Sequence, residues 1–124
     1  MWAENSPTWR FDDATFARSA VAFANPDYVE VVIHSYRHRL GLDDGASPYA
    51  ATEAQLADLP QIRVPTITLD GQRDGVVAAT DGRASAAAFS GRREHRQVPD
   101  AGHNLPQEAP AAFAQAVIDV AGRS

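Results

Sequence analysis

Two short stretches of this chain hold residue types that can do acid–base chemistry. The first is Leu69-Asp70-Gly71-Gln72-Arg73-Asp74. It ends a β-branched run, and an acid just beyond the C-terminal end of a strand stands where open α/β sheets place their sites. Read alone, Asp74 is an ordinary turn or helix cap. The second is Gly102-His103-Asn104-Leu105-Pro106-Gln107-Glu108. A neutral imidazole there can act as a general base near pH 7, although read alone it is a solvated loop histidine. Asp74 and His103 lie 29 residues apart, room for one helix and one strand. A right-handed β–α–β crossover would return both loops to one sheet edge. Asp74 could then accept the His103 Nδ1 proton, fix the tautomer and stabilise imidazolium. That expectation places a carboxylate oxygen within about 3 Å of Nδ1.

Other chemistry-bearing residues carry less. Glu30, His34 and His38 share one helical face, and two histidines at i, i+4 can hold zinc. The H-E-x-x-H order is missing and no third ligand is evident, so a polar helix face is the reading. Tyr28, Tyr36, Trp2 and Trp9 read as packing aromatics, and Arg92, Arg93 and Arg96 as a solvated edge. With no cysteine there is no disulfide, no thiolate nucleophile and no cysteine metal site.

The elements that must position Asp74 and His103 follow from the pattern. Residues 1–10 are aperiodic and read as an irregular lead-in. A helix over about 13–24 is capped by Asp12 or Asp13. A second helix opens at Asn25-Pro26, carries Val29, Ile33, Tyr36 and Leu40 at helical spacing, and stops at Gly41. A short helix spans about 51–58. The texture changes at Pro60: a strand at about 66–70, an Ala-rich helix at about 79–89, a polar strand at about 94–98, and a last helix at about 107–121. The reading is therefore α/β, an all-helical front followed by a β-α-β-α unit of a parallel sheet. Two parallel strands need neighbours on both faces, so the back half looks like part of a larger sheet.

VPTITLDGQRDGV followed by REHRQVPDAGHNLPQEAP resembles the C-terminal end of an α/β-hydrolase. In that family the triad runs nucleophile, acid, histidine along the chain. The family's G-x-x-D turn matches Gly71 to Asp74, its G-H turn matches Gly102-His103, and its E-x-P matches Glu108-Ala109-Pro110. NPDYVEVVIHSYRHRLG is similar to the helical lid of such enzymes. The resemblance implies residues 1–60 as a lid (cap) segment and 61–124 as the C-terminal part of the core, a partial α/β-hydrolase fold. It implies catalytic roles for Asp74 and His103. No G-x-S-x-G or G-x-D-x-G elbow occurs, and Ser35, Ser85 and Ser90 have no elbow context. The nucleophile is thus expected upstream of this chain, which by itself should be inactive. The implied activity is hydrolysis of a small ester or related acyl compound. The alternatives are an epoxide hydrolase or haloalkane dehalogenase-like member with an Asp nucleophile, or a non-catalytic binding or assembly piece.

Composition bounds the rest. The 124 residues fit one small domain, and Val, Leu, Ile and Phe total only 25 against 24 Ala. Ala buries little area, which weakens an independent core. A net charge of −5 argues against nucleic acid as a partner. No membrane span or signal peptide is visible, so a cytoplasmic, bacterial setting is expected. The expected partners are a small-molecule substrate in the full-length enzyme and a second chain at an exposed sheet edge; no cofactor and no metal are implied.

Overall fold

A computed structural model describes residues 1–122, so the last two residues of the expected 61–124 segment lie outside the described part. Two compact units emerge. One joins residues 1–9 to residues 60–122, and the other spans residues 10–59. The lead-in thus belongs with the C-terminal half.

In the unit of residues 10–59, local signals set the helices. Helix α2 (Asp13–Ala20) starts where Asp12 Oδ1 accepts the Thr15 amide at 2.7 Å, and a 3₁₀ turn, Val21–Ala24, follows it. Helix α3 (Tyr28–Arg39) begins two residues later than Asn25-Pro26 suggests. Asn25 accepts the Asp27 amide through its side chain (3.0 Å) and the Tyr28 amide through its carbonyl (3.0 Å), so a closed turn precedes the helix. Gly41 ends it with φ +68°. Arg37 grips the Asp43 carboxylate with Nε (2.6 Å) and Nη2 (3.3 Å), folding back the following loop. A 3₁₀ turn, Ser47–Tyr49, leads into helix α4 (Ala50–Ala57). Phe16, Phe23 and Tyr28 form a ring chain with centroids 6.2 and 4.9 Å apart. No described residue of this unit is buried.

In the other unit, a short helix α1 (Trp2–Asn5) replaces the expected irregular lead-in, with Trp2 and Trp9 rings 5.3 Å apart. Strands β1 (Thr66–Gly71) and β2 (Arg93–Val98) pair in parallel, Thr66 opposite Arg93 and Gly71 opposite Val98. Among the described residues, each pairs on one side only.

The connection between the strands corrects the expected helix at 79–89. It holds only a six-residue 3₁₀ stretch, Arg83–Ala88. Side chains take the groups an α-helix would use. Asp70 Oδ2 accepts both the amide (2.9 Å) and hydroxyl (3.1 Å) of Thr80, while Arg93 Nη1 occupies the Gly82 carbonyl at 2.8 Å. Downstream, Ile62 bridges to Phe89, with Ile62 N on the Ala88 carbonyl and Ser90 N on the Ile62 carbonyl, which pulls the chain into extended form. The β-α-β-α unit is therefore β–3₁₀–β–α.

The single helix expected over 107–121 is two: α5 (Leu105–Glu108) and α6 (Pro110–Ala121). Pro110 lacks an amide proton and forces Ala109 out of the α region, to φ −132°, ψ 60°. The core is Val98, Ala101 and Leu105, with Leu69, Ala109 and Ala112 packed against it.

Burial is incomplete. The chain exposes 9211 Å², whereas two separate compact units of these sizes would expose roughly 7,800 Å² together. Among the described residues, no helix is long and apolar enough to cross a membrane.

Candidate active site

Asp74 sits three residues past β1, and each of its oxygens has a separate task. Oδ1 accepts the amides of Val76 (2.7 Å) and Val77 (3.0 Å), which locks the carboxylate plane. Oδ2 then faces His103 Nδ1 at 3.0 Å. The two residues that the spacing paired are thus in direct contact, with side chains 13% and 42% exposed respectively. Burial opposes the Asp74 charge most strongly. The Val77 amide, the His103 ring and the Val76 amide together outweigh it and hold the carboxyl below its ordinary value. A carboxylate can only accept, so Nδ1 carries the proton and Nε2 carries the lone pair. That is the tautomer a general base needs.

The histidine loop is held by residues whose part is not legible in local sequence. Glu108, one helical turn further on, accepts the Gly102 amide through Oε2 (2.8 Å) and the Asn104 amide through Oε1 (2.9 Å). Ser6 Oγ receives the amide of His103 at 3.1 Å and the Nδ2 group of Asn104 at 3.0 Å. An E-x-P opening hints at Glu108; nothing in the sequence hints at Ser6.

His103 divides two hollows. One, about 90 Å³, lies on the Asp74 side and includes Leu69, Gly71 and Val77 in its walls. The other, about 450 Å³, is walled by Trp2, Asn104, Pro106 and Gln107. Only the second reaches the few hundred Å³ of a typical small-molecule site. A third hollow of about 360 Å³, between β1 and α6, is lined by apolar residues such as Ile67, Phe113 and Val117. With no polar group to orient a ligand, it reads as a face lacking its cover.

The arginines depart from a solvated edge. Arg93 donates to Gly82 O, Thr68 Oγ1 and Ser85 Oγ and lies 4.7 Å over the Phe89 ring. Arg96 bonds Glu94 and reaches Asp119 at 2.7 Å. Arg92 is exposed as expected. Beside them lies a pair the sequence reading missed: His95 Nε2 is 3.7 Å from Asp70 Oδ2 and donates to the Thr80 carbonyl at 2.9 Å. With Nδ1 bonded to Thr68, both ring nitrogens are engaged, so His95 serves to fix the loop. In the helical unit, His38 meets Glu53 (3.2 Å) and His34 lies 3.8 Å from Asp43, while Glu30 shares a hollow with His34. Among the described residues, no group of three or more acidic or histidine side chains is placed to hold a metal ion.

No protein-family profile and no curated protein matches the chain. A crystal structure of a "putative epoxide hydrolase" from Klebsiella pneumoniae is similar to it, at 50% identity and a TM-score of 0.89. The match covers 96% of this chain and 39% of that one, so the chain spans well under half the length of the protein it resembles. Together with the mixed helices and parallel strands, that likeness is consistent with an α/β-hydrolase-type family.

Proposed function

We propose that this chain carries the acid–base pair of a hydrolase acting on a small organic substrate. The observation that supports this best is the 3.0 Å bond from His103 Nδ1 to Asp74 Oδ2. His103 Nε2 takes a proton from the attacking group, and Asp74 stabilises the imidazolium that results. The attacking group is assigned to polypeptide beyond this chain, since no nucleophile elbow occurs in it. Of the expected lid over 1–60, residues 10–59 would serve as the lid, and residues 1–9 would join 60–122 as the core segment bearing the pair.

Two substrate readings follow from two nucleophiles. With a carboxylate, an epoxide carbon is attacked, its C–O bond breaks, and the freed oxygen takes a proton from solvent to give a hydroxyalkyl-enzyme ester. His103 then removes a proton from water as that water adds to the ester carbonyl, and the imidazolium returns the proton to the departing alkoxide, which leaves as the diol. The description of the Klebsiella protein favours this reading. With a serine, His103 takes the hydroxyl proton and an acyl-enzyme forms and is hydrolysed, the ester reading that the sequence suggests first. The hollow of about 450 Å³ between Trp2 and His103 is the place for either substrate.

A chimera tests this. This chain replaces the matching 39% of the Klebsiella protein, and turnover of an epoxide and of a chromogenic ester is measured. Hydrolysis that persists unchanged in His103→Ala would overturn the assignment. Epoxide turnover without ester turnover would select the first substrate reading.

A further inference from the structure

We infer that Ser6 is a positioning residue for the Asp74–His103 pair, acting through a strap formed by residues 4–6; the inference rests on the acid–base reading of that pair. Ser6 is 0% exposed, so no water competes for its hydroxyl. Three donors converge on Oγ: His103 N (3.1 Å), Asn104 N (3.3 Å) and Asn104 Nδ2 (3.0 Å). All three belong to the histidine loop. A hydroxyl has two lone pairs, so these bonds share the oxygen and fill its accepting capacity.

The same strap touches the acid loop. Gly75 N donates to the Asn5 carbonyl at 2.9 Å. A Cβ at Gly75 would run into the Glu4 carbonyl, and one at Gly102 would stand 2.8 Å from Ser6 Cα. Each glycine is the chain neighbour of one member of the pair, Gly75 of Asp74 and Gly102 of His103. The missing side chains let one segment lie against both loops at once. Space-filling alone would not direct three donors of one loop to a single buried oxygen. The strap sets the separation of the two loops, and with it the Nδ1–Oδ2 distance.

The test uses the full chain labelled with ¹⁵N-histidine. The ring nitrogen shifts of neutral His103 report which nitrogen bears the proton, and His95 reports that the fold is intact. In the wild type, Nδ1 of His103 is protonated. Asp74→Asn should reverse this, because its amide nitrogen takes the place of Oδ2 and donates to the ring. If Asp74→Asn leaves His103 unchanged, the acid–base reading itself fails. Ser6→Ala should lose the Nδ1–H signature with Asp74 still present, and should speed exchange of the His103 amide by about tenfold or more. A retained signature in Ser6→Ala, alongside its loss in Asp74→Asn, overturns the strap and leaves the pair standing. If Ser6→Ala does not fold, Asn104→Ala removes one donor of the three. Partial loss of the Nδ1–H signature then supports the strap, and an unchanged signature overturns it.

Discussion

Residues 10–59 and the unit formed by residues 1–9 and 60–122 are ordered by different means. The helical unit rests on short-range devices: the Asp12 cap, the Asn25 turn, the Arg37–Asp43 grip. None of its described residues is buried, and Val29, Val31, Ile33 and Leu40 of its longest helix and that helix's C-cap face solvent. The other unit holds Val98, Ala101, Leu105 and Ala116, all the buried apolar side chains among the described residues other than glycine. Its decisive bonds span 29, 97 and 98 positions. Local signals suffice to write helices, but only long-range closure brings two such side chains into contact. The proposed acid–base pair sits where that closure exists.

The two units should differ most at the pair itself. In the chimera, His103→Ala should lower turnover by about 10²–10⁴-fold, whereas His34→Ala in the helical unit should leave the chemical step unchanged. Equal losses from both would dissolve the distinction.

Next comes stability. Leu105 is 8% exposed and Ile33 is 54% exposed. Leu105→Ala should cost about 2–5 kcal/mol, and Ile33→Ala under about 0.5 kcal/mol. Both tryptophans lie in the unit of residues 1–9 and 60–122 and all three tyrosines in residues 10–59, so two fluorophores can follow the units separately. Urea should give a sigmoidal tryptophan transition and a shallow tyrosine one. Coincident curves would show one cooperative body.

Acid should separate the units further. The Asp74 carboxyl is held below its ordinary value, so its contribution is complete above about pH 4 and is lost as pH falls through the folded-state value. Asp74→Asn should flatten that acid limb in the tryptophan signal. Asp43→Asn should change the tyrosine signal less, and only at low salt, because the Arg37–Asp43 grip is exposed and screened. An acid limb unaltered in Asp74→Asn would assign it to other carboxylates.

The smallest effect concerns the open faces. Among the described residues each strand pairs on one side only, and apolar side chains line the trough between β1 and α6. We propose that these surfaces recruit a further chain. Sedimentation should then show weak, concentration-dependent association, reduced in Ile67→Lys. A strictly monomeric sample at every concentration would sink this idea.

Much of this was legible in the residues. Gly71-to-Asp74 and Gly102-His103, each following a β-branched or polar strand, were enough to pair acid and base, because parallel strands must deliver both loops to one edge. The Asp12 cap and the Gly41 stop were readable for the same reason: a cap is a bond within one turn. The helix at 79–89 was not, although its alanines favour one. Propensity there is worth a fraction of a kcal/mol per residue. It yields to the Asp70 carboxylate, the Arg93 guanidinium and the Ile62–Phe89 bridge, partners far off in sequence.

The Asp12 cap, the Gly41 stop and the contact between Asp74 and His103 could be read from the residues, since periodicity, caps and strand-end loops are properties of neighbouring residues. How Asp74 and His103 are held follows only from the folded chain. Ser6 reaches across 97 positions to the His103 amide, and Gly75 and Gly102 leave room for residues 4–6. Such contacts depend on where a folded backbone passes, and a buried hydroxyl looks like any other serine until the donors that surround it are in place.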